Sequence, residues 1–299
     1  MDKQRNLWRD AFGDTERYMD FYFSEKARRS TVFSDFEGQE LASMAFFTPY
    51  TAFFYGNKIQ AEYIVGVATA EKYRRQHRMK KLLESAIADR AQKGVDIVFL
   101  SPENPRVYES LGFVPVYDRV TTRAEGAGEK KWDIRYWREL PDQVKRTVSQ
   151  WADSRLKEES LDFYLEHSPA YYDEVDRELK VLDGELVTFW NRDEPAAVCH
   201  VIREEEIPEV TELITERGQA EETLLTLLYY LKQGCVNVTD SYFLPEANPA
   251  SENPVPDGQG HLCRTLRLTR IPQEKPMIMY RYTSEKEPEE IRCYINDIT

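Results

Sequence analysis

An apolar strand, an amphipathic helix and a second apolar strand follow one another between residues 64 and 100. The run Ile64–Ala68 is nearly continuous in apolar residues and suits a strand buried on both faces. Apolar residues then recur at helical spacing over 78–92, Gly94 follows, and Val95–Leu100 is apolar again. Two buried strands joined by a helix predict a right-handed parallel crossover, which places the chain in the α/β class.

The turn between the first strand and the helix is strongly basic. The stretch KYRRQHRMKK, residues 72–81, carries six Lys or Arg side chains, although the whole chain has a net charge of −13 and a pI near 5.0. A solvated helix face, a nucleic-acid patch or a pocket for a polyanionic ligand could each explain such a cluster. The acidic balance of the chain argues against a general nucleic-acid binder.

The position of this basic cluster favours an anion site. Cations at a helix N-terminus oppose the helix dipole, so an ordinary solvated helix gains little from them. Free backbone N–H groups and the positive end of the dipole suit a phosphate or pyrophosphate there, and Arg74, Arg75 and Arg78 add charge around it. Neither a G-x-x-x-x-G-K-[ST] nor a G-x-G-x-x-G motif is present, so neither a nucleotide triphosphatase nor a dinucleotide enzyme is indicated.

A short helix is predicted after the second strand, in SPENPRVYESLGF. Asn104 is a suitable N-cap, Pro105 suits the first helical position, and Gly112 is placed to end the helix. Tyr108 lies one helical turn before Gly112. Because the segment starts at the same edge of the sheet as the cationic turn, Tyr108 is a candidate site residue.

These stretches, YIVGVATAEKYRRQHRMKKLL and FLSPENPRVYESLGF, resemble the GNAT family of acetyl-CoA-dependent N-acetyltransferases. The resemblance implies that backbone groups around Val67 and Thr69 bind the pantetheine arm of coenzyme A. It implies that Tyr108 is the general acid toward the departing thiolate. It also implies that the pyrophosphate turn, which matches R/Q-x-x-G-x-G/A, is lined by Arg74, Arg75, Gln76, His77, Arg78 and Met79.

Two positions of the turn depart from the family pattern. His77 stands where the motif has glycine, and Met79 replaces the second small residue. Glycine there permits unusual dihedrals and a close backbone approach. Histidine is among the residues that tolerate a left-handed backbone, so the turn can keep its shape. The alternative is a turn that has drifted and binds coenzyme A weakly or not at all.

The second half repeats the first at low identity. Residues 121–131 are interpreted as a linker or long hairpin, residues 142–155 and 160–179 as helical, and residues 179–243 as strands, a helix and a strand. Glu216, Glu221 and Glu222 place acid where the first half places base. This half resembles the second, cofactor-less domain of tandem GNAT proteins related to the enhanced intracellular survival (Eis) acetyltransferases. We expect residues 245–260 to be the most mobile segment.

The resemblance implies a GNAT fold: a mixed, mostly antiparallel sheet with a central parallel strand pair and flanking helices, followed by a degenerate GNAT-like domain. We expect the GNAT acetyltransferase domain, with the coenzyme A site, over residues 1–122, and the degenerate domain over residues 130–299. In Eis-type relatives the terminal carboxylate enters the active site, so Thr299 is a candidate general base. Glu62 is a second candidate, although a solvated glutamate at the start of a strand explains it better. His200 reads as a core or edge residue and His167 as non-catalytic.

The expected activity is transfer of an acetyl group from acetyl-CoA to a primary amine, on a small molecule or peptide, by direct attack in a ternary complex. The alternative is a GNAT-shaped coenzyme A-binding or structural module with weak or no catalysis. No histidine pairs with Cys, Asp or Glu at metal-ligand spacing, so no metal is expected. The polar N-terminus, the lack of a 20-residue apolar run and four sparse cysteines predict a cytoplasmic protein without nucleic-acid or membrane partners. An oligomer is left open.

Overall fold

Two mixed β-sheets with flanking helices organise the chain into two compact units. The structure is a computed structural model that describes residues 1–118, 121–159, 161–203, 206–239, 243–244, 248–249, 266–271, 277–283 and 293–294. The first unit consists of residues 1–118 together with three short strands from later in the chain, and the second unit holds most of the remainder. The expected α/β fold with mostly antiparallel strands is confirmed.

The first unit contains five helices and eight strands among the described residues. They are α1 (Asp2–Phe12), α2 (Glu16–Ser24), α3 (Lys26–Arg29), β1 (Thr31–Glu37), β2 (Glu40–Phe54), β3 (Asn57–Thr69), α4 (Arg78–Gln92), β4 (Ile97–Leu100), α5 (Arg106–Glu109), β5 (Val114–Asp118), β8 (Phe163–Leu165), β15 (Met277–Tyr282) and β16 (Cys293–Tyr294). The strand order is β16-β8-β2-β3-β4-β15-β5, with β1 paired to β2. Only β3–β4 and β8–β16 are parallel among these pairs.

The predicted strand–helix–strand unit is present. Strands β3 and β4 run parallel, and α4 connects them over the range expected from the apolar periodicity. Gly94 ends the helix region with φ +80°, while the N–H of Val95 donates to the carbonyl of Arg90 at 3.1 Å. This left-handed glycine after a helix is the usual C-terminal stop.

The two faces of the first sheet are covered by different helices. On one face, Trp8 of α1 packs against Tyr22 of α2 and Phe46 of β2, with ring centroids 4.4 and 5.7 Å apart. On the other face, Leu83 and Ile87 of α4 join a buried apolar cluster. The alternation of side chains along β2 supplies both cores, because successive residues point to opposite faces.

The second unit contains three helices and eight strands among the described residues. They are β6 (Thr121–Glu125), β7 (Asp133–Tyr136), α6 (Asp142–Glu158), α7 (Pro169–Val181), β9 (Gly184–Asn191), β10 (Glu194–Ile202), β11 (Glu209–Thr215), α8 (Ala220–Leu231), β12 (Cys235–Thr239), β13 (Asn248–Pro249) and β14 (Arg267–Ile271). The eight strands have the order β13-β14-β6-β12-β11-β10-β9-β7. Strands β11 and β12 are parallel and are joined by α8, so the crossover of the first unit recurs here.

Three expectations about the elements were wrong. Residues 121–125, assigned to a linker or hairpin, form β6, which pairs with β12 and β14 because its alternate residues are buried. Residues 163–165, assigned to a helix, form β8. This strand pairs with β2, and its three side chains are buried. Asn104 does not cap α5 with its side chain; the helix begins at Arg106, and Pro105 takes the cap position.

The two expected domains, residues 1–122 and 130–299, remain predictions as functional divisions. Strands β8, β15 and β16 belong to the first unit although they come late in the chain. Apart from residues 248–249, the segment expected to be most mobile lies outside the described residues. In the part of the chain that the structure describes, no helix is long and apolar enough to cross a membrane.

Candidate functional site

The basic turn between β3 and α4 has an unusual backbone. Arg75 and His77 both have a left-handed conformation, with φ of +62° and +59°. His77 therefore adopts the conformation that makes glycine useful at this position. It is also the N-cap residue of α4, and no side chain caps the helix. The first-turn N–H groups of α4 are therefore available to an anion, and the dipole favours negative charge there.

The cations of the turn fall into two groups. Arg78 is paired with Asp35, at 2.8 Å, and with Glu37, and Lys72 is paired with Glu40. Within the described ranges, Arg74 and Arg75 have no ion pair. The sequence did not reveal the carboxylate partners, because they lie 32 to 43 positions upstream in β1 and β2. The two unpaired arginines are the cations that an incoming phosphate can engage without displacing a carboxylate.

The strand before the turn separates from its neighbour. β3 pairs with β4 only through Ala61–Tyr63, although β3 continues to Thr69. A β-bulge lies where β2 pairs with β3, and it contains Gly66 at φ +62°. A Cβ at Gly66 would lie only 2.2 Å from a ring carbon of Trp8, so glycine is required there. Between diverging strands, backbone N–H and C=O groups of β3 face a slot instead of a neighbouring strand.

Val67, Met79 and Tyr108 border the same buried cluster. All three pack, partly buried, against the apolar residues of β3, β4 and α4. The Thr69 hydroxyl contacts Ser43 Oγ at 3.0 Å, and the Thr69 carbonyl accepts a 3.2 Å bond from Arg74 Nε. The structure therefore brings the sequence-predicted residues of β3, the turn and α5 to one region of the first unit. Thr299 lies outside the described residues.

The Tyr108 hydroxyl is protonated throughout the physiological range. Burial raises the pKa of Tyr108 to about 12. Its ring packs edge-on against Phe113, with centroids 5.9 Å apart. A protonated, half-buried phenol beside a slot can donate a proton, and it cannot act as a base at neutral pH.

Glu62 is not a solvated residue, contrary to expectation. Its side chain is 3% exposed and accepts two bonds from Arg90 of α4, at 2.9 and 2.7 Å. A bidentate arginine pair stabilises the carboxylate and engages both of its oxygens. No sequence pattern predicts this ion pair, because the partners lie 28 positions apart on a strand and a helix.

The corresponding turn of the second unit has the opposite charge. It follows β11 and precedes α8, where Glu216 pairs with Arg155 at 2.9 Å and Glu221 and Glu222 lie in the first helical turn. None of its described residues has a left-handed backbone. Carboxylates at this place repel a pyrophosphate.

In the second unit, a buried carboxylate on β11, Glu212, lies between His200 of β10 and His167, which precedes α7. Glu212 Oε1 is 2.9 Å from His167 Nε2, and Glu212 Oε2 is 2.8 Å from His200 Nε2, without hydrogen-bond geometry in the second contact. All three side chains are at most 2% exposed. His200 is a core residue as expected. Among the described residues, no group of three His, Cys, Asp or Glu side chains is arranged to hold a metal ion.

Comparison with known proteins gives a family match for the first part of the chain and several solved structures of similar fold. Residues 1–116 match the model of the acetyltransferase (GNAT) domain family. No curated protein sequence gives a significant match. Among solved structures, a probable N-acyltransferase from Enterococcus faecalis V583 superposes with TM-score 0.70 at 13% identity, over 94% of this chain and 70% of that one.

Two other solved structures superpose on nearly the whole chain. Eis1 from Mycobacterium abscessus gives TM-score 0.58 at 11% identity, over 94% of this chain and 71% of that one. A tandem GNAT protein from the clavulanic acid biosynthesis pathway gives 0.55 at 9%, over 95% and 96%. At these identities the likeness concerns the fold. Residues 1–116 therefore match the GNAT acetyltransferase domain family, and the chain as a whole shares its fold with Eis1 and with the tandem GNAT protein.

Proposed function

We propose that the first unit transfers an acetyl group from acetyl-CoA to a primary amine. The observation that carries the proposal is the junction of the β3–β4 slot with the uncapped α4 N-terminus, where Arg75 and His77 are left-handed and Arg74 and Arg75 lack carboxylate partners. A slot with free backbone groups suits an amide-containing arm, and the turn suits a pyrophosphate. The family match supports acyl transfer as the general activity.

Different parts of the turn and of β3 bind different parts of acetyl-CoA. The first-turn N–H groups of α4 and the guanidinium groups of Arg74 and Arg75 bind the phosphates. The backbone of β3 around Val67 and Thr69 orients the arm along the slot. Acetyl-CoA supplies the thioester that the amine attacks. The main contribution of the protein is to hold the amine and the thioester together in a ternary complex.

Proton movement completes the reaction. A neutral amine forms the new C–N bond, the C–S bond breaks, and the Tyr108 hydroxyl donates its proton to the leaving sulfur. The amine loses a proton to a base, for which the terminal carboxylate of Thr299 is the candidate implied by the family. Glu62 is a poor choice because Arg90 engages both of its oxygens.

Calorimetric titration with acetyl-CoA, followed by a screen of amines for thiol release, tests the proposal. We expect one coenzyme per chain and thiol release that requires an amine. Small-molecule amines, polyamines, lysine side chains and peptide amines form the panel. Failure of acetyl-CoA to bind would reject the proposal. Saturable binding without release by any amine would instead support a coenzyme A-binding module.

A further inference from the structure

A second cavity opens in the first unit, at the ends of β3 and β4 opposite the basic turn. It has a volume of about 470 Å³ and is lined by the β2–β3 hairpin, the segment between α4 and β4, and the end of β15. β3 runs ten residues from the cavity wall at Ile59 to Thr69, which spans roughly 30 Å at 3.3 Å per residue. The cavity is therefore separate from the proposed coenzyme site, and its volume lies in the range of small-molecule pockets.

Aromatic rings form one wall of this cavity. The Phe54 ring is 4.5 Å from that of Tyr55 and 5.8 Å from that of Tyr282, centroid to centroid, with tilted and edge-on geometry. Tyr282 is 8% exposed, whereas Tyr55 is 47% exposed at the rim. Aromatic faces attract cations through their quadrupole and also bury apolar groups.

The cavity lining also carries negative charge. Asp96 lines the cavity, and one of its carboxylate oxygens, Oδ2, accepts a 3.2 Å bond from the Gln60 N–H. Gly94 and Val95 place the carbonyl end of the 15-residue helix α4 on the same wall. The C-terminal end of a helix dipole carries partial negative charge. Both features favour a cation in the cavity and disfavour an anion.

No cation of the described chain neutralises Asp96. Lys58 is paired with Glu166 at 2.7 Å, and Arg90 is bound to Glu62. Asp96 has no ion pair within the described ranges. A carboxylate without an ion pair and an aromatic wall therefore line the same cavity, which is large enough for an organic molecule.

We propose that this cavity binds an organic cation, an amine or quaternary ammonium group attached to an apolar body. The cationic head lies between Asp96 and the aromatic rings, and the apolar body packs on Phe54, Ile59 and Ile97. A metal ion is a poor fit because only one carboxylate is present among the lining residues. The site is independent of the proposed acetyl transfer, since it lies at the other end of the strands.

The test compares choline with its neutral isostere 3,3-dimethylbutan-1-ol on the full wild-type chain, by ligand-observed NMR. We expect choline to bind with a millimolar Kd and the neutral alcohol to bind about tenfold more weakly or worse. Equal binding of the two ligands would show that charge is not recognised. Absence of saturable choline binding up to about 50 mM, well above the millimolar range, would also overturn the proposal.

Variants locate the binding. Asp96→Asn keeps an oxygen acceptor for the Gln60 N–H, and we expect it to weaken choline about tenfold. Tyr55→Asn suits the left-handed backbone of that residue, at φ +47°, and should weaken choline about threefold. Glu84→Gln removes one charge from the exposed face of α4 and should leave choline binding unchanged. If Asp96→Asn binds choline with wild-type affinity, the proposed site is wrong. If that variant does not fold, the comparison of choline with the neutral alcohol on the wild-type chain tests the proposal.

Discussion

The two parallel crossovers of this protein share a topology and differ in their turns. In the first unit, β3 leads through two left-handed residues, Arg75 and His77, to an uncapped helix with two unpaired arginines. In the second unit, β11 leads through a short 3₁₀ turn to a helix with Glu221 and Glu222 in its first turn. Each leading strand pairs only briefly with its parallel neighbour. The difference teaches that one topology can carry a turn that attracts an anion or a turn that repels one, depending on the backbone and the charge of that turn.

The β-bulges of β3 and β11, the strands that lead into the two crossovers, also differ. β3 has Gly66 in its bulge, whereas the register of β10 with β11 shifts next to Glu212, at Thr211. Gly66 has no room for a side chain, because Trp8 covers it. The second unit places the buried His167–Glu212–His200 cluster at its bulge instead. The bulge of the first strand thus packs beneath an aromatic ring, whereas the bulge of the second lies beside buried charged groups.

The largest expected effect comes from Gly66→Ala. The added methyl would overlap the Trp8 ring, and φ +62° disfavours alanine, so we expect a loss of about 3–5 kcal/mol in the free energy of unfolding. Urea denaturation of the full chain measures this loss. Gly38→Ala is the matched control: it has φ +59° and nothing within 4 Å of its Cβ, so it should cost about 1–2 kcal/mol. Equal effects of the two variants would refute the role of the Trp8 contact.

Tyr108→Phe should next lower the rate of acetyl transfer. The ring packing against Phe113 stays, and only the donated proton is lost, so the single-turnover rate should fall about 10²- to 10⁴-fold. The affinity for acetyl-CoA should hardly change, because the proposed phosphate contacts belong to the turn. A rate within about threefold of wild type, far below the general-acid range, would show that Tyr108 is a packing residue. Because burial raises the pKa of Tyr108 to about 12, its donor role should persist to at least pH 9.

The double variant Arg74→Ala/Arg75→Ala tests the turn itself. Two charge-assisted bonds are worth about 3 kcal/mol together at the low end of the usual range, which suits exposed side chains, so acetyl-CoA affinity should fall about 100-fold. Calorimetry measures the change, and added salt should weaken wild-type binding as well. Arg28→Ala/Lys93→Ala removes two exposed cations elsewhere and should leave the affinity unchanged. If both double variants weaken binding equally, long-range charge is responsible and the assigned contacts are not.

The sequence sufficed for the crossover and for the short helix that carries Tyr108, because buried strands, helical periodicity and Gly94 or Gly112 are local signals. Contacts between distant positions were not predictable in this way. The pairing of Arg78 with Asp35 and Glu37, the burial of Glu62 against Arg90, and the recruitment of β8 into the first sheet each depend on long-range register. The roles of the coenzyme-binding residues remain predictions.

The buried cluster of the second unit should make the free energy of unfolding depend on pH. Burial opposes charging of His167, but Glu212 and Asp153 outweigh it and raise the pKa of His167 to about 10. Its stabilisation is thus complete below the unfolded value of about 6.5 and is lost as pH rises toward 10. Despite its burial, the two histidines hold the pKa of Glu212 below its usual range, so its contribution is lost only when pH falls below about 4.5.

The midpoint of thermal unfolding, measured between about pH 6.5 and 8.5, reports the contribution of His167. Burial also raises the pKa of Cys199 and Tyr172, but these groups add a loss in the same direction only above about pH 8.5. We expect the midpoint to fall steadily across the window in the wild type and to stay nearly flat in His167→Gln. The same slope in both proteins would mean that the charge of the cluster does not contribute to stability.

The smallest effect is expected from giving the second turn the charge of the first. Glu221→Arg/Glu222→Arg replaces acid by base at the start of α8, and cations there oppose the dipole, so stability should fall by only about 1 kcal/mol. The turn still lacks left-handed residues, and Glu216 still pairs with Arg155 beside it. A pyrophosphate needs oriented N–H groups as well as charge. Titration with acetyl-CoA should therefore give one equivalent per chain in this variant, as in the wild type. A second equivalent would show that charge alone separates the two turns, and the left-handed conformation of Arg75 and His77 would then lose its assigned importance.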